Sequence, residues 1–230
     1  RRGQPDDGCR FDHPPLPGGG RTSPLFPDLP ARRYPEITTS VWLSNQPQNL
    51  IEEAIDVALR VGHVEEADVV ARPVCELAYV LCCAPEVAAG LPPHPKDLDP
   101  RLCIGNLSEE RHSVRPWRLC HGSETLEVRP AGPLHFNSGA DELVVARAGM
   151  GVACVLDMLT HHHMEDGSLV QVYPEWSAAE AKTLYVVVPK SRLGSAKVKA
   201  FTDFLFEILE NKRRPRNIQA MVKTRKMRGG

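Results

Sequence analysis

The sequence predicts an α/β fold with mixed, mainly parallel sheets, and three observations carry that expectation. Ile37 to Leu43 alternates β-formers with small polar residues, which is the period of a half-buried strand. Turn residues Ser44-Asn45-Gln46-Pro47 follow, then Gln48 to Ile55 with Leu50, Ile51, Ala54 and Ile55 at roughly helical spacing, then the apolar run Val57-Ala58-Leu59. A strand, a short helix and a second strand form a βαβ unit, whose strands lie parallel in one sheet. Further along, short apolar runs alternate with helical patterns up to Ser195–Leu209, the clearest helix of the chain.

Taken in order, Arg1 to Thr22 is rich in Gly and Pro and poor in large apolar residues, and reads as a disordered arm. Val69–Val74 and Tyr79–Ala84 read as strands. Pro85 opens a helix that ends near Gly90, with Pro at the favoured first position. Arg101–Ile104 reads as a strand, and the charged segment Glu109–Arg115 as exposed. Trp117–Cys120 and Glu124–Arg129 form a hairpin around His121-Gly122-Ser123. Leu134–Phe136 is a strand leading into a helix over Ala140–Ala148. Ser138 is placed to cap that helix, Asp141 and Glu142 stand in its favourable first turn, and Gly149 ends it. Gly151–Leu156 is a strand and Asp157–Glu165 a helix. Leu169–Tyr173 and Leu184–Val188 are strands, and residues 212–230 form a basic disordered tail.

A chain of 230 residues can bury a substantial core. No apolar run approaches the roughly 20 residues of a membrane span. Residues Arg1 to Gly20 have no apolar stretch of the secretory type, and seven cysteines without doubled CxxC spacing suit reduced thiols in the cytosol. The expected location is therefore cytoplasmic, with no membrane partner. The formal net charge of -1 hides an asymmetry. Eight of the 28 basic residues lie beyond Glu210, which leaves 20 against 29 acids, a body of about -9.

Candidate chemistry is sparse. His161-His162-His163 are consecutive, so on a helix they point about 100° apart and cannot share one face, whereas a metal site needs a spacing such as i and i+4. They read as an exposed polar helix. Gly149-Met150-Gly151 follows a helix and precedes a strand, the wrong order for a nucleotide loop, and Cys154 lies in an apolar strand. No Gly-x-Ser-x-Gly elbow, Walker loop or His-Glu-x-x-His occurs. The reading is of a non-enzyme with no metal and no cofactor. In open α/β sheets ligands bind beyond the carboxyl ends of the strands. The candidates are Ser44 and Asn45, then Arg60, Val61 and Gly62, and Asn137, Ser138 and Gly139 at a helix start suited to an anion. Each reads equally as a capped turn without a ligand.

The ordered series YPEI, LSNQPQNLIEEAIDVALRVG, VARPV, LCCAPE, WRL, VRPAGPLHFNSGADELVVARAGMGVACVLDML, GSLVQVYPEW and LYVVVPKS resembles the effector-sensing domain of LysR-type transcriptional regulators, over roughly Ser23 to Leu209. The resemblance implies a two-lobed fold of the periplasmic-binding-protein (type 2) kind. Lobe 1 is 23–83 plus 190–211, lobe 2 is 84–189, and Tyr79–Ala84 and Leu184–Val188 are the hinge strands. It implies a small-molecule effector between the lobes, self-association through lobe 1, and DNA binding only through a winged helix-turn-helix that this sequence does not display, as in a truncated or frame-disrupted reading frame. A free-standing solute-binding protein is the alternative. The family's first strand has no apolar counterpart in Arg1–Thr22, and Pro30 interrupts the expected first helix, so marginal stability is expected.

The acidic body predicts that this chain alone does not protect a specific duplex DNA sequence at physiological salt. Any tail-driven binding should collapse as salt rises. A sequence-selective footprint that persists there would overturn the prediction.

Overall fold

The computed structural model describes residues 8–13, 34, 37–44, 48–108 and 113–212. The first sheet has the order β2-β1-β3-β13-β4, from β1 (Gly8–His13), β2 (Thr38–Leu43), β3 (Val57–Val61), β4 (Val69–Leu77) and β13 (Lys182–Pro189). The second sheet is β10-β5-β11, from β5 (Tyr79–Cys83), β10 (Ala153–Leu156) and β11 (Val170–Gln171). Smaller sheets are β6 (Gly105–Asn106) with β9 (His135–Phe136), and the hairpin of β7 (Trp117–His121) and β8 (Glu124–Val128) with β12 (Ser177–Ala178) on its edge. The helices are α1 (Pro85–Ala88), α2 (Gly139–Arg147), α3 (Asp157–Glu165) and α4 (Ala196–Lys212).

β13 holds the first sheet together. It pairs antiparallel with both β3 and β4. Its side chains alternate: Leu184, Val186 and Val188 face α4, and Val187 faces the opposite side. The α4 stripe of Val198, Phe201, Phe204, Leu205 and Leu209 packs on Val57, Leu59, Val74 and Leu77 of the sheet. Leu50, Ile55 and Ala58 close the other face. Arg192 Nε stands 3.1 Å from Asp56 Oδ1, tying the turn after β13 to the entry of β3.

In the second lobe β5 separates two cores. Leu81 and Cys83 join Trp117, Leu119, Val152, Cys154 and Trp176. Cys82 faces the other way, toward Ile104, Leu143, Ala146, Ala153, Val155 and Leu159 beneath α2 and α3. Leu156 and Met158 pack against both this core and the core of the first lobe.

Several expectations are corrected. Residues 8–13 form β1, which pairs parallel with β2 on one side and β3 on the other. The first strand that Arg1–Thr22 was expected to lack is therefore present. Backbone pairing on both edges makes it, where a search for apolar alternation finds little. The rest of the arm, the first helix with Pro30, and the tail beyond 212 lie outside the described residues. The helix expected over Gln48–Ile55 is a single capped turn. Asn49 Oδ1 accepts the Ile51 and Glu52 amides at 3.1 and 3.3 Å, and Ala54 at φ 52 then reverses the chain so that the Ile55 amide donates to Leu50 O at 2.8 Å. One turn repays little of the cost of helix nucleation, and the left-handed residue stops it.

Arg101–Ile104 is not a strand. Asp99 and Pro100 set a 3-10 turn over Pro100–Leu102, Cys103 makes a lone bridge to Val152, and strand pairing begins at Gly105. The sheets are mixed, but three ladders are parallel and six antiparallel among the described residues. The return of β13 and the flanking of β5 by β10 and β11 produce that balance. β5 lies wholly in the second sheet and β13 wholly in the first, so the chain crosses between lobes at Ala78 and at 179–181, not within the expected hinge strands. No helix among the described residues is long and apolar enough to cross a membrane.

Phe201 is fully buried at the centre of the α4 contact. Phe201→Ala should lower the unfolding free energy by about 3–5 kcal/mol, read as a reduced urea midpoint with unchanged slope. A loss below about 1 kcal/mol would show that α4 does not close this core.

Candidate ligand cleft

On the first lobe, Ser44 ends β2 and its hydroxyl accepts a hydrogen bond from Gln48 Nε2 at 3.0 Å. The Gln48 carbonyl in turn accepts Arg60 Nη2 at 2.9 Å. Arg60 is buried within β3, opposite Tyr185. The structure thus brings Ser44 and Arg60 together through Gln48, whose carbonyl Arg60 holds. Val61 packs against the α4 core. Gly62 turns at φ 94 and donates its amide to Thr183 O at 2.9 Å, a backbone role that a left-handed residue requires. Asn45 lies outside the described residues.

On the second lobe, Asn137 is exposed and Ser138 is buried. Ser138 caps α2: its Oγ accepts the Asp141 amide at 3.4 Å, and its carbonyl accepts the Glu142 amide at 3.1 Å. Gly139 is the first helical residue, and a Cβ there would stand 2.9 Å from Leu159 Cδ1. Close helix-to-helix packing, rather than a ligand, accounts for that glycine.

β6 and β9 run parallel, and the Cys103–Val152 bridge continues that direction into β10. The carboxyl ends of β6, β9 and β10 and the start of α2 therefore lie at one end of the lobe. β10 ends opposite Tyr79, where the Asp157 amide donates to Ala78 O at 2.8 Å at the crossing between lobes. The second-lobe candidates consequently sit at the end that adjoins the first lobe.

Sequence reasoning missed the polar groups beneath this end. Glu142, expected as a favourable first-turn charge, is fully buried and receives Asn106 Nδ2 on Oε1 at 2.6 Å. Its Oε2 is buried with no hydrogen-bond partner. Burial pushes the carboxyl up to about 8, against a smaller opposing effect of the Asn106 bond. Tyr79 is also raised, first by burial, and it feels the charges of Arg115, Glu142 and Glu180. A helix-first-turn glutamate gives no sequence signal of burial, because its spacing from Leu143 and Ala146 decides the buried face only once α2 is docked.

The histidine cluster divides. His161 and His162 are exposed, as expected, and stand 3.5 and 3.9 Å from Glu165 and Asp166. His163 is buried, with its pKa lowered first by that burial and then by Arg147, which corrects the expectation of three exposed rings. Among the described residues no group of three ligating side chains could hold a metal. The buried thiols are poor nucleophiles: burial raises Cys82 and Cys103 to about 12 and Cys154 further still. A concavity of about 460 Å³ lies on the first lobe between Gln48, Asn49, Ile51 and the turn at 66–69, and it includes none of the eight candidates.

The profile of the LysR substrate binding domain matches residues 3–210. The chain belongs to that family. Its relatives include the HTH-type transcriptional regulator CrgA of Neisseria meningitidis, 27% identical over 184 residues, which cover 78% of this chain and 60% of CrgA. The regulator DmlR of Escherichia coli is 29% identical over 179 residues, covering 76% of this chain and 57% of DmlR. The chain thus spans well under two thirds of the length of these relatives. Among solved structures, the CrgA regulatory domain superposes with a TM-score of 0.73 at 23% identity, covering 88% of this chain and 98% of that one. Full-length AphB of Vibrio cholerae gives 0.70 at 24% identity, covering 87% of this chain and 67% of that one. These likenesses give the LysR-domain chain the two-lobed, type 2 periplasmic-binding-protein fold.

Ser138→Ala should cost about 1 kcal/mol of stability through the lost cap, and Ser138→Asp should recover most of it, both read by chemical denaturation. Equal losses in the two variants would remove Ser138 from the capping role.

Proposed function

We propose that this LysR-family domain senses a small anionic molecule held between its two lobes, as part of a regulator of transcription. The observation that carries the reading is the arrangement of the second lobe. The start of a capped nine-residue helix stands with three strand ends at the side adjoining the first lobe. Free backbone N–H groups and the helix dipole favour an anion there. The Ser138 hydroxyl accepts at the cap and keeps its proton for an acceptor on a ligand. Ser44 and Asn45 supply polar groups from the first lobe.

Lobe closure would exclude water and strengthen those bonds, and the differential affinity for the closed form would bias the domain between two states. DNA contact belongs, in this reading, to a helix-turn-helix domain, the kind for which the HTH-type regulators CrgA and DmlR are named. Self-association through the first lobe is supported by β2 at the sheet edge, where Trp42 and Leu43 are exposed. A cytoplasmic location and a non-catalytic role fit the regulator relatives and the high-pKa buried thiols.

Calorimetric titration of small carboxylates, among them acetate, succinate and benzoate, tests the site. Ser138→Ala, Ser44→Ala and Asn45→Ala should each weaken a binding carboxylate by about 0.5–1.5 kcal/mol per lost hydrogen bond, with Ser138→Ala also corrected for its stability loss. A carboxylate that binds all three variants as tightly as the unaltered chain places the site elsewhere.

A further inference from the structure

Glu142 carries a property beyond effector binding. Its side chain hangs from the first turn of α2 into the second lobe, fully shielded from water. Oε1 is held by the Asn106 side-chain amide; the Asn106 backbone carbonyl accepts the Arg115 amide at 2.8 Å, and its strand pairs with β9 at Phe136. Oε2 is shielded from solvent and has no hydrogen-bond donor against it. An ionised carboxylate so placed would be held by one amide hydrogen bond, and one such bond does not replace the hydration of a full charge. The neutral acid suits the same pocket far better.

Among the described residues no cation acts on Glu142 to offset it. From β5 the titratable neighbours are Tyr79 and Cys82, and from β10 Cys154, all raised by burial. β9 contributes the exposed His135. α3 contributes Asp157, itself raised by burial, and His163, lowered by burial. On α2 itself Asp141 and Arg147 are exposed. Arg115 acts on Tyr79, while burial and the Asn106 bond are what act on Glu142.

We propose that Glu142 makes the end of the second lobe nearest the first a proton-responsive element. Its carboxyl is neutral while α2 is seated on β5, β6 and β10, and its ionisation loosens the first turn of α2. That turn holds the Ser138 cap and the helix start, so the ligand-facing end of the lobe answers to pH near neutrality. The sign follows from linkage. The folded carboxyl binds its proton up to about pH 8, against an ordinary value of 4.5, so the folded form holds more protons between those limits. The stability it contributes is complete below about 4.5 and is lost as pH rises toward 8.

The test compares the full chain with Glu142→Gln, which keeps the shape and an oxygen for Asn106 but cannot ionise. Unfolding by urea is followed at half-unit steps from pH 5.5 to 7.5. Relative to Glu142→Gln, the folding equilibrium constant of the unaltered chain should fall about tenfold per pH unit. Asp157 and His163 titrate in both proteins and cancel in the ratio. Parallel profiles would overturn the proposal. If Glu142→Gln does not fold, carbon-13 NMR of the glutamate carboxyls in the unaltered chain decides. One carboxyl with a midpoint near 8 upholds the proposal, and midpoints that all lie below about 6 overturn it.

Discussion

The structure depends on where β13 goes. A strand from late in the chain inserts between β3 and β4, pairs on both edges, and buries side chains on both faces. Neither β3 nor β4 has its inner hydrogen bonds without it. α4, which follows it, covers the face that Leu184, Val186 and Val188 create. The first lobe is therefore completed by residues more than 100 positions beyond its opening strands, after the whole second lobe has been made. Such long-range pairing is slow to form because loop closure precedes its reward. It also sets where the two lobes join. Two chain crossings, at Ala78 and at 179–181, join the lobes, and both leave the first sheet beside β13.

Much of the fold was legible because periodicity survives in single segments. Ser195–Leu209 shows its helical stripe, and that stripe is the buried face of α4. Asp157–Glu165 coincides with α3, and the Ser138 and Gly149 punctuation brackets α2. The hairpin at His121-Gly122-Ser123 forms with Gly122 at φ 59. What failed was what depends on neighbours. β1 is a strand because two strands pair with it, and GCRFDH has little apolar pattern of its own. Gln48–Ile55 has a helical spacing, yet two of its apolar residues are drawn into the first sheet's core while Ile51 stays exposed. A single turn satisfies that division and a longer helix does not.

The candidate site divides along the same line. Strand ends were found from turn residues, and Ser44, Arg60 and Ser138 do stand at or near them. Their chemistry was not legible. Arg60 clamps the Gln48 carbonyl and Gly139 makes room for Leu159. Both are duties to the fold that residue type does not reveal. Asn106 and Glu142 lie 36 positions apart, and only the parallel pairing of β6 with β9 sets one beside the other.

That pairing alters the electrostatics of the helix start. Two acids in the first turn of α2 suggest that the positive end of the helix dipole is already neutralised. Asp141 is exposed and screened by water. Glu142 is buried, where an ionised carboxylate would oppose a second anion at short range and low dielectric. Its neutral form removes that opposition and leaves the first-turn N–H groups their attraction for a negative charge. An anion at the α2 start is thus compatible with an acidic first turn only because burial keeps one of its two acids protonated. Conversely, an anion bound there would raise the cost of ionising Glu142. By reciprocity of linkage, proton and anion would each favour the other's binding.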